Sequence, residues 1–139
     1  LDLNASMSEF VSRQLNIPTE NADFLNFDGN QRQFDVITSW ETLEHVISPH
    51  NMMQKVSSHL KTGGIWAFAT PVYDSTFGKI EDTEGIWWVE PGHLYYFSRE
   101  SIETMLKNEG FELEYIRPSS EGMGRMEYYA VKVRSSTHE

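Results

Sequence analysis

The stretch FDVITSWETLEHV, residues 34–46, decides the fold. It opens as a buried strand, with Phe34, Val36 and Ile37 as its apolar positions, and ends within a few residues in Glu41, Glu44 and His45. Ionisable side chains placed directly after an apolar strand mark a strand's carboxyl end in an open α/β sheet. That is the edge at which such sheets bind ligands.

Outward from this stretch, strand and helix patterns alternate. LDL (1–3) reads as the end of a strand. ASMSEFVSRQLN reads as a helix, with Met7, Phe10, Val11 and Leu15 at helical spacing behind an Asn4 or Ser6 cap. ADFLNF (22–27) reads as a short strand, and DGNQRQ turns the chain into the strand Phe34–Ser39. Beyond residue 46, Ser48 caps a helix from Pro49 that carries Met52, Met53, Val56 and Leu60 on one face and is expected to stop at Gly63. GIWAFATP (64–71) is apolar on both faces, as a central strand of a parallel sheet is. Residues 72–97 read as a long irregular stretch rich in aromatics. Ser98 then caps a helix bearing Ile102, Met105 and Leu106, which ends at Gly110. FELEYI and MEYYAVKVR alternate as two half-buried strands around a Gly-rich turn, which predicts an antiparallel hairpin. The alternation implies an open, mostly parallel sheet covered on both faces, with Asp2, Asp23, Ser39–Glu41 and Thr70–Pro71 along one edge.

At 139 residues the chain supports one domain with a single core. Eleven Lys and Arg stand against 21 Asp and Glu, a net charge of -10 with no basic run, which argues against nucleic acid as a partner. The absence of cysteine excludes disulfides and thiolate metal sites. No apolar run approaches the length of a membrane span, and a cytoplasmic protein is expected.

LDLNASMSEFVSRQL, FDVITSWETLEHV, LKTGGIWAFATP and GHLYYFSRESIETMLKNEGFELEYI, in that order, resemble the class I S-adenosylmethionine-dependent methyltransferases over nearly the whole chain. The resemblance implies a Rossmann-like methyltransferase sheet, mostly parallel with a C-terminal antiparallel hairpin, and S-adenosylmethionine as cofactor. It implies that Asp2, with Leu3 beside it, holds the ribose hydroxyls, since a carboxylate accepts two hydrogen bonds from a vicinal diol. It places Asp23 and Phe24 at the adenine, and Ser39, Trp40 and Glu41 at the methionine portion. The family's first strand and its glycine-rich loop have no counterpart here, because none of Gly29, Gly63, Gly64, Gly78, Gly85 and Gly92 follows a strand and opens a helix. The chain is therefore expected to be a partial domain over 1–139, a fragment or a degenerate version that lacks a central strand. Residues 72–97 form its acceptor or lid segment.

Glu41, Glu44 and His45 fall at i, i+3 and i+4, so a helical turn would set them on one face. His93, in EPGHLYYF, belongs to the segment that the family folds over its site. His45 or His93 could act as general base on an acceptor hydroxyl, with Glu44 beside them, since an imidazole titrates near neutrality. Glu41, Glu44, His45 and His93 could instead ligate a divalent metal. Glu41 could orient the cofactor's amino group, or His45 and Glu44 could simply cap and solvate a turn. Tyr73, Phe77, Trp87, Trp88, Tyr95, Tyr96 and Phe97 suit an apolar acceptor pocket or a small satellite core. TPVYDSTFG and WWVEPGHLYYFS resemble methyltransferases of glycan and secondary-metabolite pathways, which implies a sugar or other small-molecule hydroxyl. Two functions follow: methyl transfer to a small-molecule acceptor, or a non-catalytic remnant serving as an interaction module. Loss of a central strand would bare one flank of FDVITSW and favour a homodimer. His59 and His138 read as plain surface residues.

Overall fold

The computed structural model describes residues 1–29, 32–81 and 91–134, which gather into two compact units divided after residue 31. In the first unit, helix α1 (Ala5–Leu15) starts where the Asn4 side chain accepts the Met7 N–H and stops where Asn16 turns left-handed. The two short strands expected on either side of α1 shrink to a single parallel bridge between Asp2 and Asn21. The reason is local. The Asp23 carboxylate accepts the Leu25 N–H at 2.9 Å and the Asn26 amide at 3.0 Å, so a side-chain turn replaces the expected strand.

The second unit is built on four strands: β1 (Phe34–Trp40), β2 (Leu60–Pro71), β3 (Phe111–Pro118) and β4 (Arg125–Lys132), in the spatial order β1-β2-β4-β3. β1 and β2 run parallel, whereas β2–β4 and β4–β3 are antiparallel, the last pair being the expected hairpin. β2 is central, and from Trp66 to Pro71 it is buried on both faces, as its unbroken apolar run predicts.

Between β1 and β2, Ser48 caps helix α2 (Pro49–His59) through the Asn51 N–H, with Pro49 in the first turn. The helix ends at His59 rather than at Gly63. Leu60 is already extended, and Gly63, at φ +83°, instead accommodates the register shift between Phe34↔Leu60 and Val36↔Ile65. Lys132 reaches in from β4 to donate to the carbonyls of Ser57 and Leu60, which satisfies the end of α2. The segment after β2 is not wholly irregular, since helix α3 spans Thr76–Glu81. Helix α4 (Arg99–Asn108) begins with a reciprocal Ser98–Ser101 capping box.

The core is an aromatic stack on β2 and β4. Trp66 and Phe68 lie 4.0 Å apart between ring centroids, and Phe68 and Tyr128 4.9 Å. Met52, Met53 and Val56 of α2 and Ile102 and Leu106 of α4 are buried with them. No helix among the described residues is long and apolar enough to cross a membrane.

Candidate functional site

The sheet edge at the end of β1 is organised by Glu41. Its N–H donates to Ala69 of β2 at 3.0 Å, which extends the parallel ladder by one residue, and its φ of 49° turns the chain sharply out of the strand. A left-handed conformation is costly for a residue with a Cβ, so this turn is held from outside. The holding group is Arg125 at the start of β4, whose Nε donates to Glu41 Oε2 at 2.6 Å. The other oxygen, Oε1, is buried and has no hydrogen-bond partner among the described residues.

Beyond Glu41 the chain forms a hydrogen-bonded turn, His45 N–H to the Thr42 carbonyl at 3.0 Å, and no helix. The common helical face expected for Glu41, Glu44 and His45 is therefore not formed, and Glu41 is turned away to Arg125. Glu44 points inward and is 1 % exposed. Its Oε2 accepts from the Thr70 hydroxyl at 2.9 Å, while Oε1 has no hydrogen bond among the described residues and lies 3.9 Å from His45 Nε2. Burial pushes the Glu44 carboxyl above the usual carboxylate range, and the Thr70 hydroxyl only partly offsets it.

His45 Nδ1 lies 2.8 Å from the Gly92 carbonyl oxygen. A carbonyl can only accept, so Nδ1 is the donor, and Nε2 is the ring nitrogen on the side of Glu44. The same loop delivers His93. The N–H groups of Leu94 and Tyr95 both bond the Glu44 carbonyl, at 2.8 and 3.3 Å, and the Tyr95 hydroxyl donates to Ile47. His93 thereby faces His45 with ring centroids 4.8 Å apart, and ligand atoms of Glu44, His45 and His93 all lie within 4.8 Å of one another. Val72 and Phe97 form a parallel bridge that fixes the far end of this loop to the end of β2.

The remaining expected site residues divide by unit. In the first, Asp2 and Asn21 are bridged, and the exposed Asp2 carboxylate accepts the Asn4 N–H at 2.7 Å. Leu3 is exposed, and Asp23 and Phe24 are half-buried. In the second, the Ser39 hydroxyl is committed to the Trp66 indole N–H at 3.1 Å, whereas the Trp40 side chain is largely exposed. Tyr73, Tyr95 and Tyr96 are exposed, Phe77 is half-buried, and Trp87 and Trp88 lie outside the described residues.

Sequence reasoning missed Arg125 and Thr70 as partners of the two acids, because each contact spans a wide gap in the chain. It also placed His59 on the surface. The residue is buried, with Nδ1 3.2 Å from the Arg32 carbonyl oxygen. His138 lies outside the described residues.

The sequence profile of the family described as "Methyltransferase domain" matches residues 1–116. No curated protein matches the chain in sequence. Among solved structures, the chain is similar to an S-adenosylmethionine-dependent methyltransferase from Clostridium acetobutylicum at 18% identity and a TM-score of 0.72, covering 94% of this chain and 72% of that one. It is similar to an S-adenosylmethionine-dependent methyltransferase from Thermotoga maritima at 16% identity and a TM-score of 0.74, covering 92% and 69%. The cyclase SpnF also shares the fold, at 14% identity and a TM-score of 0.71, covering 91% and 61%. At these identities the structural likeness shows the fold, and the sequence profile shows the family. The chain belongs to the methyltransferase-domain family.

Proposed function

We propose that the protein transfers the methyl group of S-adenosylmethionine to a hydroxyl of a small-molecule or sugar-type acceptor in the cytoplasm. The cofactor supplies an electrophilic methyl on a sulfonium, and this chain's residues position the two reactants. Glu41 suits the cofactor's α-ammonium. Its Oε1 is a buried carboxylate oxygen without a hydrogen-bond partner among the described residues, at the end of β1, and Arg125 holds its other oxygen in place. Asp2 suits the ribose diol and Asp23 the adenine amino group, as exposed or half-buried carboxylates with capacity to accept further bonds.

On the acceptor side, His45 Nε2 takes the hydroxyl proton, and the Glu44 carboxylate beside it favours the resulting imidazolium. His93, with its ring centroid 4.8 Å from that of His45, orients the acceptor. The observation that carries this reading is that His45 Nδ1 is held on the Gly92 carbonyl while Nε2 lies 3.9 Å from a buried carboxylate oxygen with no hydrogen-bond partner among the described residues.

The test is turnover of the full protein on a panel of hydroxylated small molecules. His45→Ala should lower kcat by about a hundredfold to ten-thousandfold while S-adenosylmethionine affinity holds. Failure of the full protein to bind the cofactor would leave the non-catalytic reading standing. Unchanged turnover in His45→Ala and His93→Ala would remove both histidines from the chemistry.

A further inference from the structure

Within that cluster, one atom needs more explanation than a proton acceptor nearby. Leaving a carboxylate oxygen both buried and unpaired is among the costlier arrangements a fold can hold. Among the described residues Glu44 Oε1 is in that position at 1 % exposure, with the Thr70 hydroxyl fixing Oε2 and thereby aiming Oε1 toward the two histidines. His45 Nε2, at 3.9 Å, is too far to share a proton with it in a direct hydrogen bond.

We propose that Glu44 Oε1, His45 Nε2 and a ring nitrogen of His93 form a site for a divalent transition-metal cation of the zinc, cobalt or manganese class. The three donor atoms converge within 4.8 Å of one another. The His45 ring is held as metal-ligating imidazoles are held: its Nδ1–H donates to a backbone carbonyl, Gly92, which fixes the tautomer and turns the Nε2 lone pair inward. The loop carrying His93 hangs by two N–H bonds on the carbonyl of Glu44 itself, so ligands from two segments are joined by the backbone.

Two imidazoles and one carboxylate select borderline transition metals over magnesium or calcium, which prefer all-oxygen shells. Glu41 is outside the set: the convergent donors are those of Glu44, His45 and His93, and the Glu41 carboxylate is held by Arg125. Donors around one ion at about 2.0–2.2 Å stand roughly 3–3.5 Å apart, so the present spread must close by about an ångström. Glu44 is fixed, and the movement falls to the imidazoles, of which the His45 side chain is 39% exposed.

Three protein ligands leave open coordination positions, which suit an oxygen of the acceptor. The ion's role in the reaction, unlike its binding, rests on the methyltransferase reading. With an ion bound, His45 would hold the metal through Nε2, and the base role proposed for it above would pass to water. The hydroxyl O–H bond breaks and its proton passes to water. The oxygen's electron pair forms the bond to the methyl carbon, and the carbon–sulfur pair returns to sulfur, leaving a neutral thioether.

The test uses the full protein, stripped with a chelator and titrated with cobalt(II) by visible absorption and with zinc(II) by calorimetry. We expect one equivalent bound per chain at micromolar or lower concentration, with ligand-field bands of a nitrogen–oxygen site. Glu44→Gln and His45→Ala should each weaken binding at least about tenfold. Glu44→Gln is nearly isosteric and removes the buried charge, so its circular dichroism and thermal midpoint verify that the fold persists. No binding below millimolar concentration, or equal binding in both variants, overturns the site. Full methyl transfer in chelator-stripped protein overturns the ion's role in the reaction and leaves His45 as the base, with the methyltransferase reading intact. Site-specific metal binding in a protein that transfers no methyl group would instead support the site and sink that reading.

Discussion

Arg125 and Glu41 lie 84 positions apart in the chain and meet through a charge-assisted hydrogen bond of 2.6 Å, where β1 leaves the sheet. The contact holds Glu41 in a left-handed conformation that costs a Cβ-bearing residue about 1 kcal/mol. Two substitutions separate the two effects. Glu41→Ala loses the ion pair and keeps the strained backbone; Glu41→Gly loses the pair and relieves the strain. The glycine variant should therefore be the more stable of the two by about 1 kcal/mol in urea unfolding, with both binding S-adenosylmethionine more weakly than the native protein. Equal stability of the two variants would show that the turn stores no strain.

Tyr128 stacks on Phe68 at one end of the aromatic stack, with its hydroxyl buried and without a hydrogen-bond partner among the described residues. Burial accordingly pushes the phenol well above its ordinary pKa. Tyr128→Phe keeps the 4.9 Å stacking on Phe68 and removes the unsatisfied group. It should raise stability by about 1 kcal/mol, read as a higher urea midpoint at unchanged slope. Phe68→Ala, which removes the middle ring, should cost about 3–5 kcal/mol. A destabilised Tyr128→Phe would mean that the hydroxyl has a partner in solution.

What the sequence disclosed and what it hid divide along physical lines. The order of strands and helices was legible because periodicity, caps and turn residues are local: Ser48, Pro49 and Ser98 mark their helices, and the unbroken run from Trp66 to Pro71 marks the buried central strand. ADFLNF misled because an Asx turn at Asp23 outcompetes pairing for so short a segment. The spacing of Glu41, Glu44 and His45 suggested one helical face. Arg125 and Thr70, each distant in sequence, draw the two acids apart instead. Gly63 looked like a helix stop, but the bulge in the β1–β2 ladder uses its left-handed backbone.

Glu127 gives the acid limb of stability a specific source. The Arg117 guanidinium donates to its carboxylate at 2.7 Å and the Tyr129 hydroxyl at 2.9 Å, and chiefly the former holds this carboxyl below its ordinary pKa of 4.5. A depressed folded-state pKa contributes stability that is present above pH 4.5 and is lost as pH falls through the folded value. Glu127→Gln should therefore lower the urea midpoint at about pH 6 and converge with the native protein as pH falls through the folded-state value below 4.5. The effect will be modest, because Arg117 is half exposed and solvent screens the pair. Parallel curves across that range would remove Glu127 from the acid response.

The outer flank of β1 leads to the last prediction. Among the described residues β1 pairs only with β2. Because the Glu41 N–H points to β2, strand alternation turns the backbone groups of Trp40, Thr38 and Val36 the other way. That flank is apolar as well as unpaired, with Val36 54% and Trp40 49% exposed. An edge of this kind, with Asp35 as its one charge, has little to discourage pairing with another chain. The 139-residue chain should therefore self-associate through β1, most simply as a two-fold antiparallel dimer, with a mass near twice the monomer's by light scattering at low micromolar concentration. Val36→Lys places a cation in the flank and should return the protein to monomer with its circular dichroism unchanged. A native chain that scatters as a monomer would show that this flank is covered in solution. A Val36→Lys variant that stays dimeric would place the interface elsewhere.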